Sequence, residues 1–231
     1  MAILGKEIQE QMLIEVYADT VCPWCYIGKT RLEKAKAMRP DTSIELIWKP
    51  FQLNPWMPAE GMNRDAYITA KFGAADAGRI YDNLRQSSHA DGIEFNFDKI
   101  TRTPNTLDAH RLIKWAKLVG GANCQNAVVQ AIFEAYFQNG EDISEATTLT
   151  EIARTEGLNA KEVHKYLSSD KDRDTIRSED TKARQMGVQG VPCFVIEKRF
   201  AISGAQEPEY FMPLFDMALA DLSKNNLDKS Q

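Results

Sequence analysis

Two cysteines separated by two residues, at a point where the sequence changes from strand-like to helix-like, constrain the fold of this chain more than any other feature. Residues 13–18 form a short run rich in β-branched and aromatic side chains, which predicts a strand. After Cys22 and Cys25 the apolar residues recur with helical spacing until Pro40, which predicts a helix that starts at the cysteine pair. The apolar face of this predicted helix contains Ile27, Leu32, Ala35 and Met38.

The position of the cysteine pair at a helix start gives its first sulfur a distinctive electrostatic environment. Pro23 tolerates the first helical position because its missing N–H would have no partner there. The unpaired amides and the helix dipole then point toward Cys22 and favour its thiolate, which is the nucleophilic form of cysteine. Cys25, one turn further and facing the core, is expected to be the less exposed thiol that closes a disulfide with Cys22. A C-x-x-C pair also occurs as half of a zinc site. The interpretation as a redox pair therefore depends on the predicted strand before it and the predicted helix after it.

The rest of the chain predicts a mixed α/β protein. Residues 43–49 alternate apolar and other side chains, which predicts a second strand and a βαβ unit of the thioredoxin kind. A long helical stretch follows, and two strands are predicted at 191–197 and 200–203. A last helix begins near Pro208, with a kink or a late start at Pro213. The helices between the strands are predicted at 63–72, 75–90, 105–119, 123–138, 148–156, 159–167 and 172–187.

Two of these helices begin with pairs of residues that are typical of N-terminal capping. Thr148 with Glu151 and Asn159 with Glu162 have the three-residue offset that satisfies unpaired backbone amides at a helix start. We therefore expect Thr148 and Asn159 to be N-caps.

Composition and charge exclude several classes of protein. The 28 basic and 33 acidic residues give a net charge of -5 and are spread along the chain, so no basic face is available for nucleic acid. No stretch approaches the roughly 18 apolar residues of a membrane span. Four cysteines in 231 residues are too few for a disulfide scaffold, which favours a cytoplasmic protein whose close cysteine pair is catalytic or binds a metal.

Three segments of the chain stand in the order found in one family of redox proteins. They are residues 19–29 (DTVCPWCYIGK), residues 105–111 (NTLDAHR), and residues 187–192 (GVQGVP) with their continuation at 203–206 (SGAQ). Over about residues 12–220 the chain resembles the FrnE-like cytoplasmic branch of the DsbA family. The resemblance implies a thioredoxin-like α/β fold with a large all-helical insertion. The thioredoxin-like parts would be residues 12–60 and 180–223, and the insertion residues 61–179. It also implies thiol–disulfide oxidoreductase activity, extending to disulfide isomerase activity.

The same resemblance assigns a third component of the active site to Pro192. It implies that the Val191–Pro192 peptide is cis and lies beside the Cys22 sulfur, with the Val191 backbone free to pair with an extended substrate. Without the resemblance, Pro192 would equally mark the start of a strand. Pro23 and Trp24 are expected to tune the redox potential, and Trp24 to add an apolar surface for substrate.

Glu15 is similar in placement to the buried acid of thioredoxins, although it lies one residue further from the cysteines. A carboxylate on a buried strand would have a raised pKa and could act as the base for Cys25. An exposed or edge-facing Glu15 is an equal alternative.

Asn105, Thr106 and His110 fall at a helix start that faces the cysteine end in related glutathione-using proteins. The resemblance makes them candidates for binding substrate, with glutathione as a co-substrate, although His110 also fits an ordinary helix histidine. Cys193 could be a third thiol near the pair or simply a small buried side chain. Cys124 has no partner in the sequence.

Two other functions remain open at this stage. One is a glutathione-dependent isomerase or transferase of the kappa or chromene-carboxylate type, which is disfavoured because both cysteines are retained. The other is a metal-binding module, for which the sequence lacks the remaining ligands of a zinc site. We expect no metal and no cofactor beyond the redox disulfide, and protein or small-molecule thiols and disulfides as partners. The sequence leaves the oligomeric state open, a homodimer included.

Overall fold

Four of the six strands in the computed structural model, which describes residues 11–73 and 77–229, form one sheet around the first predicted strand. The strands are β1 (Gln11–Ala18), β2 (Ser43–Pro50), β3 (Met62–Asn63), β4 (Arg102–Thr103), β5 (Cys193–Ile196) and β6 (Phe200–Ser203). The helices are α1 (Pro23–Ala37), α2 (Arg64–Phe72), α3 (Ala77–His89), α4 (Leu107–Glu134), α5 (Ala146–Thr155), α6 (Ala160–Leu167), α7 (Arg173–Gln185) and α8 (Met212–Lys229). The first two residues of the helix predicted at 75–90 lie outside the described residues.

The sheet has the strand order β2-β1-β5-β6. β1 and β2 are parallel neighbours joined through α1, so the predicted βαβ unit is confirmed, while β5 runs antiparallel to both β1 and β6. The two faces of β1 alternate, as a strand requires. Ile14 and Val16 belong to the main core with α1, and Tyr17 belongs to a second, smaller cluster with Ala183 of α7.

The helices α2 to α7 lie between β2 and β5 in the sequence, which is the helical insertion expected for this α/β fold. The two helices predicted at 105–119 and 123–138 are the two segments of α4, which meet at a kink at Gly121. Gly121 has non-helical geometry (φ 77, ψ -172), which a residue without a Cβ can adopt. The predicted separation into two helices is therefore confirmed.

Helix starts show which capping predictions were correct. Asn159 accepts hydrogen bonds from the amides of Lys161 and Glu162, so it is the N-cap of α6 as predicted. Thr148 lies inside α5, whose N-cap position is occupied by Glu145, so the prediction for Thr148 was wrong. Near the C-terminus, a 3₁₀ turn precedes α8, and the late helix start predicted at Pro213 is confirmed.

Polar side chains of α4 fix this helix to both the sheet and the other helices. The Gln125 side chain accepts from the Trp48 amide at 3.0 Å and donates to the Trp48 carbonyl at 3.1 Å, which continues the backbone pairing of the edge strand β2. The fully buried Arg111 donates to four backbone carbonyls in the last turn of α6 and just after it, and to Asp108. The carbonyl acceptors belong to Tyr166, Leu167, Ser169 and Lys171. Across the described ranges, no helix is long and apolar enough to cross a membrane.

Candidate active site

Cys22 occupies the N-cap of α1, immediately after the parallel strand β1 ends. Its backbone is extended (φ -92, ψ 111), and Pro23 fills the first helical position, where no N–H is needed. Cys22 is only 4% exposed, and its sulfur lies 3.7 Å from the carbonyl oxygen of Val191. Trp24 lies two positions after Cys22 and is 40% exposed, so it provides an apolar surface at the start of α1. The helix dipole of α1 is therefore directed at a sulfur near the protein surface.

Cys25 is completely buried one turn along the same helix. Burial raises the pKa of its thiol well above the usual value, and a hydrogen bond from this thiol to the Cys22 sulfur raises it further. All four cysteines fall within the described residues and are free thiols. In this dithiol state the Cys25 sulfur thus keeps its proton and donates it toward the Cys22 sulfur.

Pro192 lies against the same helix from the sheet side. The Val191–Pro192 peptide bond is cis, and the Pro192 carbonyl accepts from the Gly204 amide at 2.8 Å. A Cβ built on Gly28 would come within 2.8 Å of the Pro192 ring, so only glycine permits this approach of α1 to β5. Sequence reasoning did not single out Gly28, although an isolated glycine within a helical pattern usually has a packing reason.

Asp19 is a second residue of the site that sequence reasoning missed. It precedes the cysteines by three positions, is fully buried, and accepts from the Leu53 amide at 2.6 Å through Oδ2. Asp180 of α7 accepts from the neighbouring Gln52 amide at 2.8 Å. These two carboxylates hold the irregular segment after β2 against the cysteine end of the sheet. The signal available in the sequence was an aspartate at the end of the predicted strand, three positions before the C-x-x-C pair.

Glu15 does not occupy the position that the base hypothesis requires. Its side chain lies on the face of β1 opposite to Ile14, Val16 and Cys25, and its Oε1 is 3.2 Å from Lys49 Nζ. The physical reason is the two-residue period of a strand: because Val16 is in the main core, its neighbour Glu15 must point to the other face. The interpretation of Glu15 as the base for Cys25 is corrected accordingly.

The three candidates at the start of α4 are engaged inside the protein. Asn105 donates to the Met57 carbonyl at 2.6 Å, and Thr106 accepts from the Gln52 side chain at 3.3 Å. Thr106 and His110 are each 4% exposed. Thr106 and His110 thus offer a substrate almost no surface, while Asn105 is half-buried and lines a cavity of about 270 Å³, so the hypothesis that these residues bind substrate stays a prediction.

The remaining cysteines lie apart from the pair. Cys193 follows Pro192 but belongs to the smaller cluster on the second face of the sheet, where burial raises its pKa. Cys124 is half-buried on α4, and burial also raises its pKa. Among the residues that the structure describes, no group of three histidine, cysteine or acidic side chains is arranged to hold a metal ion.

A C-x-x-C pair at the start of α1, with a cis-proline loop packed against that helix in a β2-β1-β5-β6 sheet, defines a thioredoxin-like protein. Residues 13–214 match the family model of the DSBA-like thioredoxin domain, so the chain belongs to that family.

Individual relatives agree with this assignment. A crystal structure described as a probable DsbA oxidoreductase, SCO1869 from Streptomyces coelicolor, is 31% identical, covers 90% of each chain and superimposes with a TM-score of 0.79. The uncharacterized protein YwbO of Bacillus subtilis is 26% identical over 215 residues, which are 91% of this chain and 97% of YwbO. A structure of the cytosolic disulfide reductase DsbM from Pseudomonas aeruginosa with GSH is 18% identical, with a TM-score of 0.58 over 92% of this chain and 98% of that one, and shares the fold.

Proposed function

We propose that this protein is a thiol–disulfide oxidoreductase, with disulfide isomerase capacity, that exchanges disulfides through Cys22 and Cys25. The observation that carries the proposal is the asymmetry of the pair. The Cys22 sulfur lies at the helix start, 3.7 Å from the Val191 carbonyl, whereas Cys25 is fully buried behind it. One sulfur is placed to meet a substrate and the other to close the disulfide.

The proposed reaction has two displacement steps. The Cys22 thiolate attacks one sulfur of a substrate disulfide, so that a mixed disulfide forms and the other substrate sulfur leaves as a thiolate. Cys25 then loses its proton and attacks the Cys22 sulfur, which releases the second substrate thiolate and leaves the Cys22–Cys25 disulfide. The substrate is reduced by two electrons and the protein is oxidised by two. The reverse sequence oxidises a dithiol substrate.

The surface around Cys22 supports an extended polypeptide or a small thiol as substrate. The Val191 backbone lies beside the attacking sulfur, where a substrate strand could pair with it. Trp24 is 40% exposed. Trp56 is 93% exposed and lies in the irregular segment after β2, in which the Leu53 amide donates to Asp19. Such aromatic surfaces stabilise apolar substrate segments by burial.

The proposal extends to the partners and the compartment. We infer a cytoplasmic protein, as its few cysteines suggest. Its partners would be protein or small-molecule thiols and disulfides, with glutathione as a co-substrate and with neither nucleic acid nor a membrane involved. It would use no cofactor besides its own disulfide, and a homodimer is compatible with this role.

The test compares wild type with Cys22→Ser and Cys25→Ser in insulin reduction and in refolding of a scrambled disulfide substrate. We expect loss of turnover in both variants and a stable mixed disulfide only with Cys25→Ser, because only that variant keeps the attacking sulfur without the resolving one. A wild-type protein that neither reduces nor rearranges disulfides would refute the proposal.

The same assay addresses a glutathione-dependent isomerase or transferase. Such an enzyme needs a glutathione thiolate that persists at the site, and the resolving thiol of Cys25 would discharge any glutathione bound to Cys22. Activity that survives Cys25→Ser in the presence of glutathione would favour this alternative over the oxidoreductase.

A further inference from the structure

The start of α4 brings a histidine from the helical insertion against an aspartate beside the cysteine pair. His110 Nε2 lies 3.5 Å from Asp19 Oδ1, and the two side chains are 3% and 1% exposed. Within the described part of the chain, neither of these two atoms has a hydrogen-bond partner. Buried polar atoms are nearly always paired, so two facing unpaired atoms call for an explanation.

Asp19 also lies close to Cys25. Its backbone is within hydrogen-bonding reach of the Cys25 sulfur, and its carboxylate is close enough to act on that sulfur electrostatically. Its other carboxylate oxygen, Oδ2, is occupied by the Leu53 amide at 2.6 Å. Oδ1 is therefore the oxygen that can accept a proton, and it faces His110.

His110 also lines two cavities on the side of the sheet where α4 packs. Its side chain lines a small inner cavity of about 10 Å³, which also touches Thr20, whose buried hydroxyl has no partner among the described residues. This volume approaches what one water molecule needs, and the two unpaired polar groups would be its ligands. On its other side His110 lines a groove of about 390 Å³ that is open to solvent. The charged side chains around this groove are Lys49, Lys114, Lys117, Asp172 and Glu179.

We propose that Asp19 and His110 form a buried proton relay for Cys25, which carries the thiol proton from the resolving sulfur toward the groove on the far side of α4. This inference rests on the proposed function. As Cys25 attacks the mixed disulfide, its S–H bond breaks and its S–S bond to Cys22 forms. The proton passes to the Asp19–His110 pair, and the substrate thiolate leaves. In the reverse direction the pair returns the proton to the departing Cys25 sulfur.

The relay explains why the resolving step can proceed although Cys25 is fully buried. A buried thiol has no contact with solvent through which to lose its proton, and the Cys22 side of the site is covered by the substrate at that moment. The Asp19 and His110 side chains are 1% and 3% exposed, so they can take this proton within the protein, whereas the Trp24 side of the site is open to solvent before substrate binds. Glu15 cannot serve in this way because it lies on the other face of β1.

The test separates the two displacement steps in one experiment. The reduced protein, in excess, is mixed rapidly with dithiobis(nitrobenzoate), which releases one coloured thiolate when Cys22 attacks and a second when Cys25 resolves. The proteins compared are wild type, His110→Gln, Asp19→Asn and the control His164→Gln, whose histidine is exposed on α6. Asp19→Asn keeps a side-chain oxygen for the Leu53 amide and so preserves the fold if His110→Gln does not.

We expect the first release to be unchanged in all four proteins and the second to slow about a hundredfold in His110→Gln and Asp19→Asn. The pH profile distinguishes a relay from a structural role. In wild type the second release should depend only weakly on pH, because the Asp19–His110 pair and not hydroxide takes the thiol proton. In the two variants it should keep rising about tenfold per pH unit, because Cys25 then depends on hydroxide.

Three outcomes are informative. A second release that is as fast in both variants as in wild type overturns the relay, and so does a slower release whose pH profile keeps the wild-type shape. The absence of any second release in wild type would instead mean that the proposed oxidoreductase function has failed, and peptide mapping of the Cys22 adduct identifies that case.

Discussion

The ring of Pro192 approaches Gly28 so closely that a Cβ at position 28 would come within 2.8 Å of Pro192 Cγ and 3.1 Å of Phe194 Cζ. Neither ring can move aside as the end of a flexible chain would. This contact sets the separation between α1, which carries both cysteines, and β5, which follows the Val191 carbonyl. The spacing of the candidate active site therefore depends on a residue without a side chain.

Gly28→Ala is expected to destabilise the protein by about 1–3 kcal/mol through overpacking, although alanine is the better helix former. It should also slow the first reaction of Cys22 with a disulfide. Urea unfolding and stopped-flow kinetics measure the two effects. Gly78→Ala in α3 is the matched control, because a Cβ there meets nothing within 4 Å and should be neutral or slightly stabilising. Equal behaviour of the two variants would contradict the packing argument.

The stability of the reduced protein should fall at high pH because of Cys25. Its pKa is raised in the folded state above the usual 9.0, so the unfolded chain loses the thiol proton first. The folded state therefore keeps its full stability relative to the unfolded chain below about pH 9. It loses stability as pH rises toward the folded pKa of Cys25, by at most about 1.4 kcal/mol per pH unit. Urea unfolding at several pH values measures the difference between wild type and Cys25→Ala. A difference that does not change above pH 9 would argue against the raised pKa.

Glu15→Gln should leave the resolution of the mixed disulfide within about twofold of wild type, because the carboxylate faces away from Cys25. The variant loses only its 3.2 Å ion pair with the half-buried Lys49, which is worth about 0–1 kcal/mol. The two-phase thiolate release described above measures the rate, and urea unfolding the stability. A large and selective loss of the second phase would restore Glu15 as the base.

Arg111→Met should destabilise the helical insertion by about 3 kcal/mol or more. It leaves Asp108 without its buried partner, and it leaves four carbonyls in the last turn of α6 and just after it without this donor. The control is Arg154→Met, since the Arg154 side chain is 59% exposed and pairs only with Glu151 on the same helix in the described structure. That control should leave the free energy of unfolding essentially unchanged, because the Arg154–Glu151 pair is exposed to solvent. Thermal and urea unfolding compare the two, and similar losses would contradict the role of Arg111.

The local features of the fold followed from the sequence because their causes are local. The run of β-branched and aromatic residues before Cys22, the helical spacing after it and Pro23 at the first helical position predicted β1, α1 and the placement of the cysteine pair. Asn159 was recognised as a cap because its partners lie within three residues. The separation of the helices predicted at 105–119 and 123–138 also has a local cause, because Gly121 between them adopts a non-helical conformation.

The contacts between distant segments were decided by the tertiary structure. Asp19 and His110 are 91 positions apart in the chain, and nothing in the spacing of either motif shows that their side chains meet at 3.5 Å. The same holds for Gly28 and Pro192, which meet only because α1 packs across β5. Sequence periodicity determines which face of an element is buried, but which side chains share that buried space depends on how the elements pack.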